Sequence, residues 1–377
     1  MHICFISSEY PLWKSGGVGT FLQTFGRALV NEGHKVSIVG IGNSDYEELN
    51  DKGVKIYRLP KSTIPFGKFI FNTISISSKI EKIHKQENID IVESAELGLA
   101  FMRKNPALKY VIRLHGGHHF FAESENRKVH WWQGLKEKLS FKKADGFIAV
   151  SNYVKEHTSK FLSFHNKPIE IIYSPINTEL FHPNPNQKAQ PYNITFVGTI
   201  CEKKGVRQLI MAMEAIKRKY PEVHLNIFGR EWFYKDGRSY TEMLKTKYKE
   251  IIENCVTIHG VLPFEQVPEK YCLAQVCVFP SHMETQGLVA QEAMAMQKPV
   301  VFSKKGPGPE TIKEFETGLL CDPLNINEIA EKISWFFEHE DKALEMGKKA
   351  RQYVLKTFDI ETSLAKNIDF YKSLNKA

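Results

Sequence analysis

Short apolar runs alternate with amphipathic segments along the first half of the chain. The order is strand "HICFISS", helix "FLQTFGRALVNEG" and strand "KVSIVGIG", followed by further strands at "DIVES", "YVIRLHG" and "GFIAVS". Phe21, Phe25 and Leu29 recur at helical spacing, and Gly33 ends this helix in a C-cap position. Strands that alternate with helices predict a mainly parallel sheet with helices on both faces.

A polar, proline-containing stretch, "FHPNPNQKAQPYN" (181–193), interrupts this pattern and is typical of a linker. The alternation then restarts at "NITFVGTI" and continues through "VCVFPS", "LVAQEAMAM" and "KPVVFS". The pattern therefore predicts an α/β fold with two doubly wound, Rossmann-like domains, 1–183 and 184–356, and a closing helix at about 357–377 that we expect to pack on the first domain. Two such domains would bind ligands in the cleft between the carboxyl ends of their strands.

Composition narrows the classes of protein. The chain has 377 residues, 42% hydrophobic and 25% charged, with 51 Lys and Arg against 43 Asp and Glu, which excludes disorder. A net charge of +8 suits phosphorylated ligands or an anionic membrane surface, but it is too diffuse to indicate nucleic acid. Six scattered cysteines without metal spacing favour a reduced, cytoplasmic protein.

Membrane insertion is not predicted. The amino terminus enters a strand at once, without the pattern of a signal peptide. No apolar run approaches the ~20 residues of a membrane span. Any membrane contact is therefore expected to be peripheral, on the inner face.

Two glutamates stand eight positions apart in "SHMETQGLVAQEAMAMQKPVV" (281–301). Glu284 falls in the loop after a strand, and Gly287 precedes a helix whose free N–H groups, with those of Leu288 and Val289, form an anion site. Glu292 lies on the apolar stripe of that helix, where a carboxylate is costly unless it is hydrogen-bonded. The two vicinal hydroxyls of a ribose offer such donors, so a phosphate at the helix end and a ribose beside its first turn indicate a nucleotide.

This stretch resembles the donor-site signature of glycosyltransferase family 4, the group 1 retaining sugar-nucleotide-dependent transferases of the GT-B fold. The resemblance implies that Glu292 binds the donor ribose and that Glu284 lies against the transferred sugar. The family usually has Pro-Phe where this chain has Thr285 and Gln286, a departure that bears on the choice of sugar. The alternative is a helix glutamate paired with a neighbouring Lys or Arg.

"FVGTICEKKGVRQLIMAM" (196–213) is similar to the family's diphosphate-binding loop. Lys204 matches its lysine, but Thr199 stands where an arginine is usual. Because loss of a forked guanidinium weakens phosphate neutralisation, we expect either Lys203 or Arg207 to compensate or activity to be lower. The resemblance continues through "VTIHGVLPFEQVPEK", which places Val261 among the donor-binding residues.

The first domain carries looser matches. "WKSGGVGTF" resembles the family's amino-terminal glycine loop and assigns Gly17 to donor binding, although a tight turn explains it equally. His115 in "YVIRLHGGHHFF" matches a histidine near the reaction centre and is expected to hydrogen-bond the donor sugar, unless it only caps a strand end. His118 and His119 are assigned to the acceptor, which this domain is expected to bind.

The chain has no Asp-x-Asp triplet, and we expect a reaction that needs neither metal nor cofactor. The tryptophans and lysines of 115–143, with the apolar stretch 64–80, predict either a membrane-facing surface or an acceptor-site lid beside a core helix.

The sequence as a whole thus predicts transfer of a hexose from a nucleoside diphosphate sugar to a glycan, lipid-linked or small-molecule acceptor, as in polysaccharide biosynthesis. Two alternatives remain: a sugar-nucleotide epimerase of the same architecture, and a non-catalytic nucleotide-sugar-binding protein.

Overall fold

The computed structural model describes residues 1–12, 16–64, 66–125 and 127–376. The chain divides into two compact units, the first formed by 1–175 with 360–377 and the second by 176–359. Trp13, Lys14 and Ser15, which begin the predicted glycine loop, lie outside the described residues, as do Pro65 and Asn126 of the predicted membrane-facing or lid segments.

In the described part of the first unit, eight strands form one sheet. They are β1 His2–Ile6, β2 Lys35–Ile41, β3 Glu47–Asp51, β4 Val54–Leu59, β5 Ile91–Ser94, β6 Lys109–Leu114, β7 Gly146–Ala149 and β8 Ile169–Ile171. The spatial order is β3-β4-β2-β1-β5-β6-β7-β8, and only β3, paired with β4, runs antiparallel. The helices are α1 Gly17–Asn31, α2 Lys68–Glu87, α3 His118–Ser124, α4 Trp131–Lys143, α5 Asn152–Ser159 and, from the end of the chain, α14 Ile360–Lys376.

The carboxyl-terminal helix α14 completes the core of the first unit. Its residues Leu364, Phe370, Tyr371 and Leu374 join a buried cluster with side chains of β1, β2 and α1. Burying these apolar side chains ties the last helix to the first half of the chain. The helix thus lies on the unit predicted to receive it.

In the second unit the strands are β9 Asn193–Val197, β10 His224–Phe228, β11 Val256–Gly260, β12 Val276–Phe279, β13 Val300–Ser303 and β14 Leu319–Cys321. They form a parallel sheet in the order β11-β10-β9-β12-β13-β14. The helices are α6 Val206–Lys219, α7 Tyr240–Lys247, α8 Lys249–Cys255, α9 Val267–Leu273, α10 Leu288–Ala295, α11 Gly308–Thr311, α12 Ile326–Glu338 and α13 Glu340–Thr357.

Each sheet reverses its strand order at its first strand. In the second sheet β9 lies between β10 and β12, so the chain leaves β9 and β12 toward opposite faces of the sheet. Such a reversal opens a crevice at the carboxyl ends of the two strands, where α/β proteins bind ligands. The loops 198–205 and 280–287 both begin at this edge.

The units divide before Ile176, earlier than the predicted boundary between 183 and 184. The reason is local pairing: the Ile176 N–H donates to the Phe358 carbonyl (2.8 Å), and Thr178 Oγ1 donates to the Asp359 carboxylate (2.7 Å). Phe181 is buried against Phe264. The start of the predicted linker therefore belongs to the second unit.

The helical segment 240–253 is interrupted. The stretch 240–253 forms two helices, α7 and α8, because the backbone of Tyr248 leaves the helical region (φ −119°, ψ 35°). The hydroxyl of Tyr248 contacts the sulfur of Met211 on α6 at 3.4 Å, so the residue at the break packs against α6. All six cysteines are buried free thiols. Among the helices described, none combines the length and apolar content needed to cross a membrane.

Candidate functional site

Lys204 and Glu284 meet at the reversal point of the second sheet. Lys204 lies in the loop after β9, in a 3₁₀ turn over 202–204, and Glu284 lies in the loop after β12. The Lys204 Nζ donates to the Glu284 carboxylate, which also accepts a 2.9 Å hydrogen bond from Ser281 Oγ. The two side chains are 22% and 11% exposed, so this ion pair is in reach of a ligand.

Glycines at the starts of two helices shape this edge. Gly205 and Gly287 precede α6 and α10 with left-handed backbones (φ +71° and +85°) that side-chain-bearing residues rarely adopt. A Cβ on Gly205 would overlap the Pro280 carbonyl, and one on Gly287 would overlap the Phe302 ring. The close approach of the 198–205 loop to Pro280 therefore requires glycine at 205, and the packing of the start of α10 on Phe302 requires glycine at 287.

Glu292 lies on α10, one turn after Leu288. Its side chain is 8% exposed. Burial raises the pKa of the Glu292 carboxyl to about 7, although a hydrogen bond from Tyr271 lowers it in part. Among the described residues this carboxylate has no cationic partner, which argues against the alternative of a simple helix salt bridge.

Tyr271 was not predicted as a site residue. Its hydroxyl lies 3.2 Å from Glu292 Oε2 and 3.3 Å from the Val289 carbonyl, and its ring packs on Phe279. Lys298, from the "KPVV" segment, donates to the carbonyls of Cys272 (2.6 Å) and Ala274 (3.1 Å) at the end of α9 and so fixes the helix that carries Tyr271. In the sequence this tyrosine looks like an ordinary core aromatic.

Arg207 is not available to replace the arginine that the family usually has at the position of Thr199. Its guanidinium binds the Glu202 carboxylate through Nε (2.9 Å) and Nη2 (2.6 Å). Glu202 also accepts from Gln208 Nε2 (2.9 Å) and from the Tyr240 hydroxyl (2.7 Å). Burial opposes ionisation of Glu202, but the hydrogen bonds from Arg207, Tyr240 and Gln208 lower its pKa to about 2. Of the two predicted substitutes, Arg207 is therefore committed to holding the loop.

The remaining predicted donor residues lie at the same edge of the second sheet, with one exception. Leu288 and Val289 form the half-buried first turn of α10, and Val261, just after β11, is 70% exposed. Gln286 is buried and donates to Gln291 at 2.8 Å. Gly17 is the exception, because it is the exposed first residue of α1 in the other unit.

His115 follows β6 at the carboxyl edge of the first sheet. Its ring contacts Phe21 (5.7 Å between centroids). Burial, with a smaller repulsion from the Arg113 cation, lowers the pKa of His115 to about 3. The imidazole is therefore neutral near pH 7 and suits hydrogen bonding rather than proton transfer.

His118 and His119 begin α3 and surround one buried carboxylate. The Glu137 carboxylate of α4 accepts the backbone N–H of both histidines and also contacts His119 Nδ1. A Cβ on Gly117 would overlap the same carboxylate. The structure thus explains how these histidines are held, by a helix-capping glutamate that the sequence did not reveal.

Two Rossmann-like domains, one with a carboxylate, a lysine and a helix terminus gathered at its strand reversal, define the GT-B class of α/β proteins. Comparison of the sequence with models of protein families identifies the family. Residues 177–353 match the family model for glycosyl transferases group 1, and residues 15–180 match that for glycosyltransferase family 4. The chain belongs to this family and is a glycosyltransferase.

Known relatives resemble the chain over its whole length. A GDP-mannose-dependent alpha-(1-6)-phosphatidylinositol monomannoside mannosyltransferase of Mycobacterium tuberculosis is 22% identical over 98% of both chains. The solved sucrose-phosphate synthase of Thermosynechococcus elongatus has a TM-score of 0.86 at 23% identity, covering 100% of this chain and 99% of the other. Anabaena HepE, solved with UDP-glucose, has a TM-score of 0.79 at 18% identity, covering 99% and 100%.

Proposed function

We propose that the chain transfers a hexose from a nucleoside diphosphate sugar to an acceptor hydroxyl, with retention at the anomeric carbon and without a metal ion. The observation that carries this proposal is the convergence of Lys204 and Glu284 beside the start of α10, with Glu292 buried in the same helix. Membership of the glycosyltransferase family sets the reaction class.

On the donor side, the roles follow from charge and burial. Lys204 and the N–H groups at the start of α10 supply positive charge to the diphosphate. Glu292, whose carboxylate accepts only from Tyr271 among the described groups, accepts the ribose hydroxyls. When Lys204 turns to the diphosphate, it releases Glu284, which Ser281 still holds and which then contacts the sugar.

The chemical step joins the acceptor oxygen to the anomeric carbon on the face from which the diphosphate departs. The bond from that carbon to the diphosphate oxygen breaks, and the departing oxygen takes the acceptor proton. No protein base is needed for this route, which agrees with the neutral, weakly basic His115. Lys204 and the α10 amides stabilise the charge that develops on the leaving group.

The names of the relatives select the first donors to test, UDP-glucose and GDP-mannose. The acceptor, which we place on the first unit near His118 and His119, is a glycan, a lipid-linked sugar or a small molecule, and His115 is proposed to hydrogen-bond the donor sugar. Gly17 is proposed to approach the donor with its backbone. We propose a location on the inner face of the membrane or in the cytoplasm.

Isothermal titration of the full chain with UDP, GDP and their sugars, in the presence of EDTA, tests the donor site. Glu292→Ala should abolish binding of nucleotide and nucleotide sugar alike. Lys204→Gln should weaken both by roughly tenfold to a hundredfold, as expected for loss of a charge-assisted hydrogen bond. Unchanged nucleotide affinity in Glu292→Ala would refute the ribose role.

Glu284→Gln separates sugar recognition from nucleotide recognition. It should lower affinity for the nucleotide sugar but leave the free diphosphate bound at least as tightly as before, because Lys204 no longer has to break an ion pair with Glu284. Metal independence is tested separately by turnover, with product stereochemistry read by NMR. Reversible loss of turnover on chelation, or an inverted product, would contradict that part of the proposal.

A further inference from the structure

The first unit exposes several large apolar side chains close together in the sequence and the fold. On α2 and the loop before it, Phe66 is 89% exposed, and Phe71 and Ile74 are also solvent-facing. On α4, Trp131 is 71% exposed and Leu135 is exposed one turn later. A folded domain has no reason of its own to leave Phe and Trp at such exposures, so a set of them indicates a contact surface.

Internal contacts join the starts of these two helices. The Phe69 ring lies edge-on to Phe101 (6.0 Å), and Phe101 stacks on Trp132 of α4 (5.6 Å). Lys136 of α4 places its Nζ 4.2 Å from the Phe69 ring centre. The exposed Trp131 ring contacts Trp132 (5.5 Å between centroids), and Phe66 and Phe71 are within three residues of Phe69, so these exposed rings flank the contact between the two helix starts. We call this region the aromatic face.

The aromatic face is strongly basic. Segments 61–80 and 127–143 together contain nine Lys and Arg against one Glu, although Arg127 pairs with Glu125 just outside them and Lys136 is buried. The single acid, Glu137, is fully buried under His118 and His119. Five of the lysines are exposed: Lys61, Lys68, Lys128, Lys138 and Lys142. On α4, Trp131, Leu135, Lys138 and Lys142 share one exposed stripe.

We propose that the aromatic face binds an anionic lipid bilayer, with Phe66 and Trp131 entering the headgroup region and the lysines pairing with lipid phosphates. Trp and Phe rings prefer the boundary between headgroups and acyl chains, and lysines extend their charged ends from that depth to the surface. Bases of a nucleic acid stack on aromatic rings but offer nothing to the exposed aliphatic Ile74 and Leu135, and an acidic protein is the competing occupant that the vesicle experiment tests. A second copy of the chain would meet the same positive charge and be repelled.

Vesicle flotation of the full chain tests the proposal. Binding is expected to vesicles of phosphatidylcholine containing about a third phosphatidylglycerol, and it should weaken steeply between about 0.1 M and 1 M salt as charges are screened. Trp131→Ser and Phe66→Ser should each reduce binding by about tenfold. Lys68→Gln and Lys128→Gln should each reduce it by about fivefold, the loss expected for one basic residue near such a surface.

Matched controls come from α13 of the second unit, where Leu344→Ser and Lys348→Gln also change exposed residues. They should leave vesicle binding unchanged. Thermal unfolding of every variant shows that the fold is retained, as expected for exposed positions. The proposal would be overturned if the protein did not float with anionic vesicles at low salt, or if the α13 controls lost as much binding as the α2 and α4 variants. It would also be overturned if the Trp131 and Phe66 variants left vesicle binding unchanged and altered only the oligomer mass measured by light scattering.

Discussion

The two sheets carry an ion pair near the reversal of their strand order, but the pairs differ in their surroundings. In the first unit Arg113 and Glu93 are 1% and 3% exposed and are surrounded by the Asn367 amide and the Tyr371 hydroxyl of α14. In the second unit Lys204 and Glu284 are partly exposed and have Ser281 as a further neighbour. A pair enclosed by protein groups holds the fold together, whereas a pair at an open edge can exchange its partner for a ligand.

The comparison predicts its largest effect for Arg113→Met. Removing this cation leaves the Glu93 carboxylate buried without a countercharge, which should lower the free energy of unfolding by about 3–5 kcal/mol. Urea denaturation followed by circular dichroism measures the change. A loss below about 1 kcal/mol would show that the Arg113 pair is no more structural than the Lys204 pair.

Glu292→Gln should stabilise the protein at high pH while removing donor binding. The Glu292 carboxyl has an ordinary pKa of 4.5 and about 7 in the fold. Folding therefore favours its protonated form, and stability falls as the pH rises from about 4.5 to 7. Replacing the acid with a neutral amide should recover up to about 3 kcal/mol at pH 8 and nothing at pH 4.5.

Glu96→Gln is the matched control, because burial also raises the pKa of the Glu96 carboxyl to about 7 in the first unit. It should show a similar gain in stability at pH 8, measured by thermal unfolding, but nucleoside diphosphate affinity should not change. If Glu292→Gln kept its affinity for nucleoside diphosphate, the buried Glu292 carboxyl would not be part of the donor site.

Tyr271→Phe should act on the donor site through Glu292. Loss of the hydroxyl removes the hydrogen bond that lowers the Glu292 pKa, so this pKa should rise further and the carboxylate needed for ribose should form only at higher pH. Affinity for a nucleotide sugar, titrated from pH 6 to 9, should reach its plateau at higher pH than in the wild type. The stability cost should be about 1 kcal/mol.

Tyr10→Phe serves as the control, since its buried hydroxyl binds the Asp51 carboxylate in the first unit at 2.6 Å. It should cost similar stability without moving the binding profile. An equal displacement of the profile in both variants would mean that Tyr271 has no specific link to the donor.

The smallest stability effect is expected for Lys204→Met. The Lys204 pair is partly exposed, and such pairs contribute at most about 1 kcal/mol. The free energy of unfolding should therefore change little, measured by the same urea titration as for Arg113→Met. Destabilisation as large as that of Arg113→Met would make the lysine structural and weaken its assignment to the diphosphate.

The local pattern of apolar and polar residues was sufficient to predict those strands and helices whose own residues carry the signal. The period of apolar positions predicted the strands on either side of the second-sheet reversal, and their order placed Lys204 and Glu284 at carboxyl ends. Gly205 and Gly287 directly precede the first residues of helices α6 and α10. The antiparallel strand β3, whose residues "EELND" are nearly all polar, gave no such signal and is held by pairing with β4.

The sequence by itself therefore determined the two α/β domains, the loops at the carboxyl ends of their strands and the charged residues within those loops, because all of these depend on spacing over a few residues. Tertiary structure alone decided which groups those residues meet. Tyr271 lies on another helix from Glu292, Glu137 approaches His118 from α4, and Arg207 is taken by Glu202. Such contacts decide the pKa of each group and whether it is available to bind a ligand. The reason is that burial and neighbouring charge depend on which distant segments of the chain come together in space, and not on residue type alone.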